Sequence, residues 1–130
     1  MHTIDWPAIP RLDIGAFPTP LQELENAGRA LGGSRCLFVK RDDLSGMALG
    51  GNKVRKLEFL LADAVAQGYD TIITAGGAQS NHATLTASCC NKLGLKSILV
   101  LLQRGETARK GNLLLNHIQG ARVHFVDSDD

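Results

Sequence analysis

Hydrophobic and polar positions divide the chain into an irregular opening and a regular remainder. All four prolines fall between Pro7 and Pro20, where apolar residues show little period, so this stretch predicts an extended arm. Leu21, Leu24, Ala27 and Leu31 then recur at helical spacing, and Pro20 suits a first helical turn. With a stop at Gly32-Gly33, the pattern predicts an amphipathic surface helix over 21–31. Cys36 to Lys40 is a short apolar run of strand type, followed by a polar loop from Arg41 to Gly46. From there the pattern alternates. Helices are expected to start near Asn52, Ser80 and Arg109, and strands at Thr71 to Thr74, Ser97 to Leu102 and Val123 to Val126. Gly68, Gly94 and Gly120 each follow a helical stretch and precede a strand, which suits left-handed C-caps. Ile72-Ile73 and Ile98 to Leu102 read as strands buried on both faces, and short crossovers make the sheet parallel. The fold class is therefore α/β, a parallel sheet with flanking helices. The βα units share a period but not residues, so they are not a sequence repeat.

Composition narrows the partners. At 130 residues, 44% apolar and 21% charged, the chain has the material for a globular domain with a core. Its net charge of +1 comes from interspersed residues, so it lacks the basic field that would hold nucleic acid or an anionic membrane. A small-molecule partner is expected. No apolar run approaches the roughly 20 residues of a membrane span, and Met1 to Ile9 lacks the order of a signal peptide, which points to the cytoplasm. Cys36, Cys89 and Cys90 are an odd set without C-x-x-C spacing, and they read as reduced, small buried hydrophobes. No metal is expected.

Two loops carry candidate chemistry. In Gly50-Gly51-Asn52-Lys53-Val54-Arg55-Lys56-Leu57-Glu58 a glycine pair opens onto a helix start, where free backbone N–H groups favour an anion. Lys53, Arg55 and Lys56 stand in that first turn, where helix electrostatics disfavour cations. An amine disfavoured as ammonium is readier to attack an aldehyde. A solvated basic turn or a structural phosphate site is the alternative for this motif by itself. Val54 follows Lys53 where a P-loop requires serine or threonine, and no strand is followed by G-x-G-x-x-G. The second loop, Ala75-Gly76-Gly77-Ala78-Gln79-Ser80-Asn81-His82, joins a strand to a helix at the strand's C-terminal end, where open α/β sheets place ligands. Its hydroxyl, amides and imidazole suit a carboxylate, although Ser80 also reads simply as a helix cap beside a solvated Gln79 and His82. Both loops are expected at one edge of one sheet, an amine beside an anion hole.

The run from Lys40 to Glu58, together with Gln79-Ser80-Asn81-His82, closely resembles the D-cysteine desulfhydrase and 1-aminocyclopropane-1-carboxylate (ACC) deaminase family. Lys110-Gly111-Asn112-Leu113-Leu114-Leu115 and Gly120-Ala121 extend the likeness over nearly the whole chain. The resemblance weakens after His82, where Ala83-Thr84-Leu85 replaces the family's frequent arginine and glutamine. It implies a tryptophan-synthase-β type fold, pyridoxal 5'-phosphate as cofactor, and a homodimer acting on a small amino acid. It further implies that Lys53 forms the Schiff base and shuttles the α-proton. Asn52 and Lys56 match positions near the cofactor phosphate, and Asn81 matches the partner of the pyridine 3′-oxygen. Ser80 matches a serine used in carboxylate binding and proton transfer, with Gln79 and His82 completing the carboxylate loop. Asp42-Asp43-Leu44 and His82 look more like the desulfhydrase branch, which implies α,β-elimination of D-cysteine, with ACC deamination or a cysteate-type lyase as alternatives.

Family members are about two and a half times as long, and the chain closes at Asp127-Ser128-Asp129-Asp130 directly after a strand. The expectation is an N-terminal portion of such an enzyme: residues 1–58 as the arm and start of the large domain with the lysine loop, and 59–130 as an incomplete small α/β domain. Its competitor is a noncatalytic anion-binding unit of the same fold.

Overall fold

The computed structural model describes residues 8–33, 36–103 and 110–127. Residues 1–7 of the opening segment Met1 to Ile9, the helix start at Arg109 and the last three residues, 128–130, lie outside them.

The central helices form where the pattern demands. Val54, Leu57, Glu58, Leu61 and Ala62 make one buried stripe at i, i+3, i+4, i+7 and i+8, and helix α2 runs over Lys53–Ala66. The division expected between residues 58 and 59 falls inside this helix. Strand β3 (Thr71–Gly77), helix α3 (Asn81–Leu93), strand β4 (Lys96–Gln103), helix α4 (Asn112–Ile118) and strand β5 (Arg122–Asp127) follow. The three strands pair in parallel in the order β3-β4-β5, with Ile73 opposite Ile98 and Leu99 opposite Val123. The three glycines expected to end helices do so, Gly68, Gly94 and Gly120 having φ of 78°, 72° and 69°. The α/β reading with a parallel sheet and flanking helices therefore holds.

Helix α3 is the hub, since every residue from Ala83 to Cys90 is buried. One side packs Leu85, Cys89 and Cys90 with Ile14, Met47, Val54, Leu57 and Leu61. The other packs Ala83 and Ala87 with Leu99, Leu101 and Leu113. A helix buried on two sides has no polar face to spare, and its hydroxyls turn inward on its own backbone. Thr84 donates to the Ser80 carbonyl, Thr86 to that of His82 and Ser88 to that of Thr84. Ala83-Thr84-Leu85 thus serves packing here.

The opening arm is strapped to α2. Glu58, fully buried, accepts hydrogen bonds from Arg11 Nε at 2.6 Å and from the backbone N–H groups of Ile14 and Gly15 at 3.1 and 2.9 Å. Lys92 Nζ, on α3, donates to the Ile14 carbonyl at 2.6 Å. A buried carboxylate is tolerated only with such partners.

Three expectations are corrected. Residues 21–31 do not form one helix: Leu21–Glu23 is strand β1, antiparallel to β2 (Phe38–Lys40), and helix α1 covers only Glu25–Ala30. Pairing with a distant strand outweighs the local helical pattern. Pro20, which can donate nothing, accepts from the Arg41 N–H and so continues the ribbon. Leu21 and Leu31 are 65% and 62% exposed, so the expected stripe is not a buried face among the described residues. Second, among the described residues β3 lies at the edge of its sheet and only one of its faces is partly buried: Ile72 packs against the core and Ile73 is 66% exposed. In β4, likewise, Leu99 and Leu101 are fully buried and the intervening residues only partly so. Third, only two of the three cysteines are buried. Burial pushes the Cys89 and Cys90 thiols up to about 12 and about 11, whereas Cys36 is exposed beside a ribbon that contributes to neither core.

Candidate active site at the two glycine loops

The lysine loop is set by backbone geometry. Gly50 and Gly51 have φ of 78° and 138°, and a Cβ at Gly50 would lie 1.8 Å from the Asp43 carbonyl oxygen. Only glycine fits there. The Gly51 N–H donates to the Asp42 carbonyl at 2.8 Å, and Ser45 Oγ donates to the Gly51 carbonyl at 3.3 Å.

Arg55, one of the three cations of the first turn, faces away from this loop's chemistry. Its guanidinium grips both oxygens of Asp42 at 2.7 and 2.6 Å, reaches Thr19 Oγ1 at 3.1 Å and lies over the Phe17 ring, 4.6 Å from its centroid. Its hydrogen bond is the main reason that the Asp42 carboxyl is lowered from 3.8 to about 2, with Thr19 and Lys40 assisting against partial burial. The pair anchors the start of α2 to the preceding turn. Lys53 is left half-buried as the first residue of the helix, with Asn52 and Lys56 exposed on either side.

In the second loop the strand runs further than expected, through Gly77, so Gly76 and Gly77 belong to β3. Ser80 is the N-cap of α3, its Oγ accepting from the Ala83 N–H at 3.3 Å. Gly76 must be small, because a Cβ there would stand 2.7 Å from Ser80 Oγ. Asn81 Nδ2 donates to the Gly50 carbonyl at 3.2 Å and joins the two loops directly.

His82 Nε2 lies 3.3 Å from Thr74 Oγ1, and its Nδ1 is buried without a partner among the described residues. Burial first, then the positive charges of Lys56 and Lys53, lower its pKa from the usual 6.5 and favour neutral imidazole. Gln79 turns elsewhere: both ends of its amide engage residues 110–112.

Of the expected site residues, Lys53, Asn52, Lys56, Ser80, Asn81 and His82 are thus brought to one place, the starts of α2 and α3 beside the C-terminal end of β3. Gln79 borders it. Asp42, Arg55, Thr19 and Glu58 are the supporting residues that sequence reasoning left without a task. The signal was present in part, since two carboxylates at 42 and 58 flank the basic turn at 53–56.

An amine, two carboxamides, a hydroxyl, a second amine and an imidazole nitrogen lacking a partner, set around a glycine backbone and two helix starts, fit a phosphorylated aldehyde and an amino-acid carboxylate. Groups of this chemistry on an α/β frame are of the kind that a pyridoxal-phosphate enzyme uses. The chain belongs to the family described as pyridoxal-phosphate dependent enzyme, which matches residues 12–130. It is 47% identical over 121 residues to a putative ACC deaminase of Pyrococcus abyssi, covering 93% of this chain and 36% of that protein. It is 44% identical over 124 residues to the D-cysteine desulfhydrase of Serratia proteamaculans, covering 92% and 37%. The ACC deaminase of Mesorhizobium japonicum is 44% identical over 115 residues, covering 84% and 34%. The crystal structure of an ACC deaminase homologue superposes with a TM-score of 0.87 at 44% identity, covering 95% of this chain and 37% of the other. The chain therefore spans about a third of the length of the relatives it matches. Family, fold and cofactor class agree with the sequence reading.

Proposed function

We propose that this chain supplies the lysine side of the active site in a lyase that eliminates the β-substituent of a small amino acid, with D-cysteine as the preferred substrate. Water is consumed, and pyruvate, hydrogen sulfide and ammonia are formed. The observation that carries this reading is the Asn81–Gly50 hydrogen bond, because it sets the carboxylate loop against the lysine loop. The preference for D-cysteine is supported by the likeness of Asp42-Asp43-Leu44 and His82 to the desulfhydrase branch. Deamination of ACC is the second reading, favoured by the names of the Pyrococcus and Mesorhizobium relatives.

Pyridoxal phosphate, when bound, supplies the electron sink for charge at the substrate α-carbon. Lys53 holds the cofactor covalently through Nζ and moves the α-proton. Asn52 and Lys56 hold its phosphate, and Asn81 its ring oxygen. Ser80 binds the substrate carboxylate and shares in proton transfer through its hydroxyl. His82, favoured as neutral imidazole, adds a hydrogen-bond partner without a competing charge. Gln79 completes the loop. In the same reading residues 1–58 belong with the large domain and 59–130 with the small one, and the whole protein is a cytoplasmic homodimer.

The test is made on the full-length protein. Borohydride reduction and peptide mass spectrometry are expected to place a pyridoxyl mass on Lys53, and Lys53→Ala to lose it. Incubation with D-cysteine, L-cysteine, cysteate and ACC separately is expected to give fastest turnover with D-cysteine. A pyridoxyl mass elsewhere sinks the Lys53 assignment, and faster turnover of ACC replaces the first reading by the second.

A further inference from the structure

Gln79 is bound on both sides of its amide by a segment 31 to 33 positions away. Its Nε2 donates to the Lys110 carbonyl at 3.1 Å, and its Oε1 accepts from the Asn112 backbone N–H at 2.8 Å. In return, Asn112 Nδ2 donates to the Gln79 backbone carbonyl at 2.8 Å. Each residue thus grips the other through side chain and main chain together. Gly111 lies between the two partners at φ +54°, and a Cβ on it would stand 2.6 Å from Gln79 Oε1. The clasp closes only over glycine.

Its location gives it meaning. Gln79 immediately precedes Ser80, the cap of α3, while Asn112 opens α4. On the other side the Ala78 N–H donates to the Leu102 carbonyl at 3.2 Å, tying the loop to β4. The turn that aims Ser80, Asn81 and His82 is therefore held from two elements at once. Exposed loops carrying polar ligands need such support, because a small displacement of a binding group weakens it sharply. A glutamine with both ends of its amide engaged acts on a ligand chiefly through the shape of its loop.

We propose that Asn112 and Gly111 are positioning residues for substrate: acting through Gln79, they fix the backbone of the turn at 78–81 and so the direction in which Ser80 and Asn81 meet an amino-acid carboxylate. The inference rests on the reading of that loop as the carboxylate site.

The experiment compares wild-type, Asn112→Ala, Gly111→Ala and the double variant as full-length, cofactor-loaded proteins. Deuterium uptake of the peptide covering 77–83 is expected to rise in both single variants, with uptake over 54–66 unchanged. The KM for the turned-over amino acid is expected to rise about tenfold or more with kcat altered less than about threefold, and the double variant to be no worse than the poorer single one. Unchanged uptake at 77–83 would overturn the clasp. Raised uptake with unchanged KM would overturn its role in substrate positioning. A wild-type protein without a pyridoxyl mass on Lys53 would overturn the underlying reading instead, and the uptake comparison separates that failure from failure of the clasp.

Discussion

Asn81 and Gly50 stand 31 positions apart and are joined by one hydrogen bond, from the carboxamide of the first to the carbonyl of the second at 3.2 Å. Through it the start of α3, capped by Ser80, is laid against the turn that opens α2 at Lys53. The contact depends on the absence of a side chain at Gly51, where a Cβ would lie 2.5 Å from Asn81 Nδ2.

Gly51→Ala is accordingly expected to part the loops. The left-handed φ of 138° adds strain of roughly 1–2 kcal/mol to the steric conflict. Equilibrium titration with pyridoxal phosphate is expected to show affinity at least about tenfold weaker. Undiminished affinity in a folded variant would show that the contact is dispensable.

The Asp42–Arg55 pair predicts an acid-sensitive anchor. Because folding lowers the Asp42 carboxyl from 3.8 to about 2, its stabilisation is fully present above the ordinary carboxylate range and is lost as pH falls from about 4 to about 2. With Arg55 partly open to solvent, the contribution at neutral pH is on the order of 1 kcal/mol. Thermal melts from pH 2 to 7 are expected to show Asp42→Asn destabilised at neutral pH and converging on wild type at the acid end. Parallel curves would show that this carboxyl is not the group responsible.

His82 offers a local electrometer. Burial is the largest cause of its lowered pKa, followed by Lys56 and then Lys53. Removing the Lys56 charge by Lys56→Gln should therefore raise the titration midpoint of the His82 ring in NMR, while burial keeps it below 6.5. A midpoint that does not move would place the Lys56 ammonium out of electrostatic reach.

Thiol reactivity should separate the cysteines. Cys89 and Cys90 are buried with thiols raised to about 12 and about 11, while Cys36 is exposed. Iodoacetamide at pH 8, followed by peptide mapping, is expected to label Cys36 first and to reach the other two at least about a hundredfold more slowly until the protein unfolds. Equal rates would indicate that α3 opens readily.

Much of this was legible locally. The helix starts near Asn52 and Ser80 could be read because glycine turns and caps are local signals, and Gly68, Gly94 and Gly120 because a left-handed cap favours glycine whatever surrounds it. Leu21 could not be read correctly: whether it joins a helix or a strand depends on Lys40, its partner across the ribbon. Ile73 looked like a doubly buried residue, although periodicity cannot say which neighbour covers a face.

The sequence by itself determined the α/β order, the two glycine loops and the identity of the groups they carry, because turns, caps and chemistry belong to residues a few positions apart. Tertiary structure decided which of those groups meet. Arg55 went to Asp42 and Gln79 to Asn112, while Asn81 reached back to Gly50. Each of these choices spans 13 to 33 positions, and a hydrogen bond at that separation is fixed only when the packed elements bring both partners within about 3 Å.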